Sequence, residues 1–226
     1  MNSKKREIIS LIVNMFIFIV SLSSWIYMMI GDGSNSLSSQ GLESLKYFTV
    51  LSNLYMGFAA LFTSIYRITM LIKENKNMPK WIKILNLSGV TSVITTFLIV
   101  IAFLAPKDAL DGGNFFTMYK GANLFFHLII PLMSISNFLF IEHDCELEIK
   151  YVWFGVIPIL IYGIFYITNF FSHWVFSELG GIKTYDWYHL LGNGNYIQVI
   201  LIFIGFFLGA YLLTLLIWFL NKKLEK

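Results

Sequence analysis

The sequence predicts an all-α integral membrane protein, a single bundle of six transmembrane helices formed by residues 1–226. Hydrophobic side chains make up 57% of the chain and charged ones only 13%, which is more apolar surface than one soluble core can bury. The apolar residues fall in six runs, each near the roughly 20 residues that a helix needs to cross a bilayer. Little sequence is left between these runs for a separate soluble domain.

The six predicted spans follow one another along the whole chain. The first comes directly after Lys4, Lys5 and Arg6. We interpret it as a retained helix and not as a signal peptide, because it is long and no small-residue cleavage site precedes the next span. The spans are predicted at about residues 8–30, 46–72, 82–105, 121–141, 151–171 and 196–220.

Basic residues beside the spans predict the orientation, because Lys and Arg are retained on the cytoplasmic side. Of the 16 basic residues, twelve lie on the side of the two termini and four on the other side. Both termini are therefore predicted to be cytoplasmic. Arg67 is close enough to the end of its span for its side chain to snorkel to water. The acidic loop from Glu142 to Lys150 is predicted to be cytoplasmic as well.

Three longer connections are predicted on the outer side, at about residues 31–45, 106–120 and 172–195. The last is rich in aromatic side chains, which is typical of a belt at headgroup level. We expect this loop to lie on the membrane and to cover a site. Its aromatic residues, with the first of the next span, are Trp174, Tyr185, Trp187, Tyr188 and Tyr196.

Polar residues recur inside the spans at three- and four-residue spacing, which places them on one helix face. Such groups are unfavourable in hydrocarbon, so these faces are predicted to point into the bundle. The stripe from Ser88 to Thr95 in the third span is typical of close helix packing. The candidate functional residues are Thr49, Ser52 and Asn53 in the second span and Asn123, His127 and Ser134 in the fourth.

Thr49 and His127 are predicted to lie in one layer, since both fall between about one and one and a half turns below the outer surface. A hydroxyl beside an imidazole is the minimal unit for nucleophilic acyl transfer, because the base removes the proton that makes an alcohol a poor nucleophile. The alternative is structural, with His127 bonded to a neighbouring helix. We expect the pair to face one apolar cavity open toward the outer leaflet.

The other candidates are assigned supporting roles. The predicted spans contain no Asp or Glu to orient the imidazole, so Asn123, one turn before His127, is the predicted partner of the ring. Asn53 is the predicted donor to an oxyanion, and Ser52 either shares that role or bridges two helices. Ser134 continues the polar face of the fourth span. His189 is a candidate for the entrance of the site.

Two segments carry a family resemblance. Residues 45–54 read Leu-Lys-Tyr-Phe-Thr-Val-Leu-Ser-Asn-Leu, and residues 123–131 read Asn-Leu-Phe-Phe-His-Leu-Ile-Ile-Pro. On a six-span chain of this length they resemble the androgen-induced-gene and androgen-dependent TFPI-regulating protein family of six-span membrane hydrolases, in particular its bacterial branch. The resemblance implies a bacterial cell-membrane hydrolase of lipid esters, such as fatty acid esters of hydroxy fatty acids, with Thr49 as nucleophile and His127 as the histidine.

A second class of function is open on the residues alone. A non-enzymatic binding or transport protein for a lipid or small molecule also needs polar faces around an internal site, without a reactive threonine. The absence of carboxylates from the predicted spans weighs against proton-coupled transport. We expect no metal and no cofactor, and a lipid ester substrate and membrane lipids as partners. A net charge of +3 does not indicate nucleic-acid binding, and the sequence does not determine the oligomeric state.

Overall fold

Six helices correspond to the six predicted spans in a computed structural model, which describes residues 3–30, 41–73, 78–142, 147–177, 183–188 and 196–224. All six are long and apolar enough to cross a membrane, so the prediction of a multi-pass membrane protein is confirmed. We name them α1 to α6. They are α1 Ser3–Ile30, α2 Phe48–Lys73, α3 Lys80–Leu110, α4 Ala122–Ile141, α5 Ile149–Ser172 and α6 Tyr196–Leu224.

Three of these helices are irregular. Wider π turns interrupt α3 at Val100–Leu104 and α4 at both Phe125–Ile129 and Asn137–Ile141. The first eight residues of α5, Ile149–Val156, form a 3₁₀ helix, which continues as the α-helix Ile157–Ser172. Single π turns inside helices occur often at functional sites. The π turns therefore indicate that α3 and α4 are the helices most relevant to a functional site.

The outer surface of the bundle is apolar. Ile12 of α1, Ile161 of α5 and Leu212 of α6 are 62%, 62% and 63% exposed. Such side chains are unfavourable against water, whereas in a bilayer they face acyl chains. The exposed apolar surface is therefore the expected consequence of six membrane-spanning helices.

The centre of the bundle is α3, which contacts α2, α4, α5 and α6. Its buried face includes the Ser/Thr stripe recognised in the sequence. Every hydroxyl of that stripe donates to a carbonyl oxygen of its own helix, at 2.7 to 3.1 Å. The hydroxyls of the stripe are therefore satisfied within α3, which lets this face pack against neighbouring helices. Its members are Ser88, Thr91, Ser92 and Thr95.

Both termini lie at one end of the bundle. Ser10 of α1 donates to the Glu142 carboxylate just after α4, at 2.5 Å. Asn221, near the end of α6, donates to the main-chain oxygen of the same glutamate at 3.4 Å. We call this end the termini end and the opposite one the loop end.

Short elements close the loop end. One 3₁₀ turn precedes α2, a second precedes α4, and a pair of two-residue antiparallel strands follows α5, with Phe176 opposite Thr184. The strand pair folds the chain after α5 back toward the bundle. The bounds are Gly41–Lys46 and Phe115–Tyr119 for the turns, and Phe176–Ser177 and Lys183–Thr184 for strands β1 and β2.

Gly155 lets α5 and α6 approach closely, since an added Cβ would overlap the buried side chain of Thr214. We expect Gly155→Ala to lower the free energy of unfolding by about 1–3 kcal/mol, because an extra methyl group in a packed contact displaces its neighbour. Thermal unfolding in detergent measures this change. Gly209→Ala is the control, because nothing lies within 4 Å of a Cβ built there. Equal losses in the two variants would contradict the close contact.

Candidate functional site

An apolar cavity of about 650 Å³ lies between α2, α3, α5 and α6 and the segment 183–188. Two of its lining residues, Phe103 of α3, which is 66% exposed, and Gly205 of α6, are also exposed on the outside of the bundle. In a bilayer, this side of the cavity faces the acyl chains. Among the described residues, no charged side chain lines the wall. Its polar groups are the hydroxyls of Thr49, Thr95, Thr96, Tyr162 and Tyr188.

Thr49 differs from the other buried threonines of the described chain. It is the second residue of α2, is 8% exposed and lines the cavity. Within the described residues its hydroxyl makes no hydrogen bond, whereas each of the other five donates to the carbonyl oxygen four residues earlier. Those five are Thr63, Thr91, Thr95, Thr96 and Thr214, with distances of 2.7 to 3.2 Å. Thr49 therefore presents a hydroxyl that its own helix does not use.

His127 lies in the first π turn of α4 and is 2% exposed. Its Nδ1 is 2.6 Å from the main-chain oxygen of Met118. A carbonyl oxygen only accepts, so we assign the proton of the neutral ring to Nδ1, which leaves the lone pair on Nε2. In the described part of the chain, Nε2 is buried without a hydrogen-bond partner. The imidazole is thus held in the tautomer that a general base requires.

Asn53 joins the helices that carry these two groups. Its Nδ2 donates to the main-chain oxygen of Thr49 at 2.8 Å and to that of Phe126 at 3.2 Å. The first turn of α2 and the π turn of α4 therefore lie in one layer. His127 is not among the residues that line the cavity, and within the described chain no hydrogen bond joins it to Thr49. The shared cavity expected from the sequence is observed for Thr49 only.

The structure corrects the predicted role of Asn53. An amide nitrogen carries two hydrogens, and Asn53 donates to two carbonyl oxygens, so no donor is left for an oxyanion.

Of the two roles considered for Ser52, the structure favours the bridge between helices. Its hydroxyl lies 3.0 Å from that of Thr96 in α3 and 3.1 Å from the main-chain oxygen of Thr49. The side chains of Asn53 and Ser52 thus both hold α2 in place.

The imidazole partner predicted from the sequence is also wrong. Asn123 is buried one turn before His127, but the ring bonds to Met118 instead. The reason is that the 3₁₀ turn before α4 folds back over the helix and presents a main-chain oxygen to the ring. Ser134 is buried deeper in α4, and its hydroxyl has no partner among the described residues. His189 lies outside the described residues.

The aromatic segment 183–188 enters the bundle, in contrast to the surface position predicted for it. Trp187 is only 5% exposed, and its Nε1 donates to the Tyr162 hydroxyl at 3.1 Å. The hydroxyl of Tyr188 accepts from the Phe48 main-chain N–H, at 2.9 Å, and its ring lines the cavity. Trp174, by contrast, is 68% exposed. The bonds of these two side chains to α2 and α5 account for the inward position.

A buried polar cluster at the termini end was missed by sequence reasoning. Glu142, 7% exposed, accepts from Ser10, from Asn14 at 2.7 Å and from Asn86 at 3.0 Å. Arg67 lies 3.9 Å from the same carboxylate. We call these five residues the Glu142 cluster. They join α1, α2, α3 and the end of α4.

The Glu142 cluster corrects two expectations. Arg67 is 2% exposed, so its side chain turns into the bundle and does not snorkel to water. Glu142 closes the last turn of α4 through its N–H, which donates to the main-chain oxygen of Asn137 at 2.8 Å, so it belongs to the bundle and not to the acidic loop that was predicted to begin with it. The available signal was Arg67 itself, since an arginine inside a predicted span requires a buried partner.

The fold and site together define a six-helix membrane protein with an apolar cavity and, among the described residues of its wall, one threonine hydroxyl without a hydrogen bond. Comparison with protein-family models, with curated proteins and with solved structures finds no match for this chain. The proposed function therefore depends on the site and on the sequence resemblance.

Proposed function

We propose that this protein is an intramembrane hydrolase of lipid esters, with Thr49 as nucleophile and His127 as general base. The observation that carries the proposal is the Thr49 hydroxyl, which faces an apolar cavity without the carbonyl bond made by every other buried threonine of the described chain. An imidazole whose Nε2 is unprotonated lies in the same layer. A hydroxyl and a ring nitrogen that are both unbonded among the described residues are the groups that acyl transfer needs.

The chemistry divides into two acyl transfers. In the first, Nε2 of His127 takes the Thr49 proton, Oγ1 bonds to the ester carbonyl carbon, and the carbonyl electron pair moves onto its oxygen. When that pair returns, the bond to the leaving alkoxide breaks and the alkoxide takes the proton from Nε2. In the second, a water molecule gives its proton to Nε2 and attacks the acyl-threonine. Oγ1 then leaves and is reprotonated.

This mechanism requires His127 and Thr49 to approach in the substrate complex. Catalytic hydrogen bonds are often long or unformed without substrate and tighten when it binds. The Asn53 bridge keeps the backbones of the two helices in one layer. Thr49 also lies at the amino end of α2, where the helix dipole favours developing negative charge.

The cavity favours a substrate whose buried part is uncharged. Its described wall contains hydroxyls and apolar side chains but no cation or anion, and burying an unpaired charge there would cost several kcal/mol. A volume of about 650 Å³ lies in the usual range for one small ligand. An acyl chain that enters beside Phe103, with its ester at Thr49, is uncharged and fits a cavity of this size.

Labelling with a long-chain fluorophosphonate tests the nucleophile directly. The wild-type protein in detergent is expected to be labelled at Thr49, and Thr49→Ala to lose the label. Thr95→Ala is the matched control, because Thr95 is equally buried and lines the same cavity but donates to Thr91. Labelling that persists in Thr49→Ala would contradict the proposed nucleophile.

A lipid-binding or transport protein is the second candidate. The position of His127 outside the cavity lining favours it, because a binding site does not require a base beside Thr49. In that case the fluorophosphonate labels no hydroxyl, while a fluorescent fatty acid still binds the cavity. Binding without labelling would therefore replace the hydrolase by this function.

We also propose that the protein lies in a bacterial cell membrane, as the family resemblance implies, and that both termini are cytoplasmic, as the distribution of basic residues predicts. In a Cys145→Ser background, cysteines introduced at Lys4 and Lys222 should resist a membrane-impermeant maleimide in intact cells. A cysteine at Phe116, exposed at the loop end, should react. The opposite pattern would invert the topology.

A further inference from the structure

The hydroxyl of Tyr188 lies beside the proposed nucleophile. It accepts from the main-chain N–H of Phe48 at 2.9 Å, and Phe48 directly precedes Thr49 at the start of α2. Tyr188 and Thr49 line the same cavity. The phenol oxygen is therefore fixed at the end of the cavity where the ester carbonyl would react.

Several contacts hold the segment of Tyr188 in this position. The neighbouring Trp187 is 5% exposed and donates to Tyr162 at 3.1 Å. Asp186 accepts from the Tyr166 hydroxyl, and its own N–H donates to the Thr184 hydroxyl at 3.1 Å. A side chain on a segment held by these hydrogen bonds is preorganised, as stabilisation of a transition state requires.

The Tyr188 hydroxyl is protonated and can act as a hydrogen-bond donor. The Phe48 N–H donates to the phenol oxygen of Tyr188, and the Tyr162 hydroxyl is a second hydrogen-bond neighbour of that oxygen. Because Tyr162 gives its own hydrogen to the main-chain oxygen of Lys46, the Tyr188 hydrogen can turn from Tyr162 to an ester oxygen. Burial raises the pKa of Tyr188 to about 12, so the group is protonated at neutral pH. Tyr188 is therefore a candidate for the oxyanion donor, the role that the sequence predicted for Asn53. It lies on a segment far from Thr49 along the chain.

We propose that Tyr188 is a catalytic residue that donates its hydroxyl hydrogen to the ester carbonyl oxygen and so stabilises the oxyanion formed when Thr49 attacks. This inference rests on the proposed hydrolase function. Tyr188 keeps its proton throughout: the carbonyl pair moves onto oxygen, the hydrogen bond from Tyr188 shortens, and the pair returns as the leaving group departs. No proton is transferred to or from the phenol.

Tyr55 provides the matched control. Its hydroxyl lies 2.6 Å from that of Ser88 in α3, and Tyr55 is not among the residues that line the cavity. Tyr55→Phe therefore removes a hydroxyl that serves helix packing. Tyr188→Phe removes one directed to the reaction, at the same change in side-chain volume.

The test compares these variants as purified full-length proteins with a long-chain p-nitrophenyl ester. We expect Tyr188→Phe to lower kcat by roughly 10²- to 10³-fold with little change in KM, as loss of one oxyanion donor does. Affinity for a long-chain trifluoromethyl ketone, which forms the tetrahedral adduct, should fall in parallel. Tyr55→Phe should keep kcat within about threefold, because its hydroxyl serves helix packing. Full kcat in Tyr188→Phe overturns the inference.

Fluorinated tyrosine at position 188 keeps the inference testable even where Tyr188→Phe fails to fold. Fluorine makes the hydroxyl a stronger donor at nearly unchanged size, so log kcat should change steadily with phenol acidity, whereas a purely structural phenol gives no trend. Thr49→Ala, measured in parallel, separates the two proposals. If Thr49→Ala hydrolyses the ester, the hydrolase mechanism itself is overturned. If Thr49→Ala loses hydrolysis but the changes at Tyr188 have no effect on kcat, only the role of Tyr188 as oxyanion donor is overturned.

Discussion

Thr49→Ala is expected to lower ester hydrolysis by about 10³-fold or more, because alanine removes the oxygen that forms the acyl-enzyme. His127→Ala should cause a loss of similar size, since the hydroxyl then has no base. Thr49→Ser should retain part of the activity, because serine keeps the oxygen and loses only the methyl group that fixes its rotamer. Hydrolysis of a long-chain p-nitrophenyl ester by purified protein measures all three.

The combination of these variants distinguishes a catalytic pair from two separate effects. Residues that act as one unit are not additive, so the double variant should be scarcely slower than either single one. Thr95→Ala should retain wild-type activity, because its hydroxyl is bonded to its own helix. Thermal unfolding checks that each variant is folded. Wild-type turnover in Thr49→Ala would return Thr49 to a packing role and favour the lipid-binding function.

Glu142→Ala is expected to destabilise the protein by about 3–5 kcal/mol, because it leaves the Arg67 guanidinium buried without its counter-charge. The amide hydrogens that Asn14 and Asn86 donate to the carboxylate lose their acceptor as well. Thermal unfolding in detergent measures the loss. The expected result is a large drop in unfolding temperature that does not depend on substrate.

Two control variants test whether the unpaired charge explains the loss of stability. Glu148→Ala removes an exposed carboxylate 2.8 Å from Lys150 and should leave the unfolding temperature nearly unchanged, since exposed ion pairs contribute little. Replacing both Arg67 and Glu142 by methionine should recover much of the stability, because neither charge of this pair is then left buried alone. A double variant as unstable as Glu142→Ala would show that packing, and not charge, explains the loss.

The sequence alone determined the six spans, because an apolar run long enough to cross a bilayer is a local property of the chain. It also determined the layer that Thr49 and His127 share. Depth along a helix follows from a constant rise per residue, and the Asn53 bridge shows the two helices meeting at that layer. The packing role of the Ser/Thr stripe followed from helical spacing in the same way.

Only the tertiary structure decided which groups are bonded to which. The partner of His127 is the Met118 main-chain oxygen, and no side-chain pattern reveals a main-chain acceptor in a turn that folds back. Arg67 and Glu142 meet across 75 residues of sequence, and Tyr188 reaches Phe48 across 140. Such pairs depend on how each helix is rotated about its axis. Packing against neighbouring helices sets that rotation, and the periodicity of one span does not contain it.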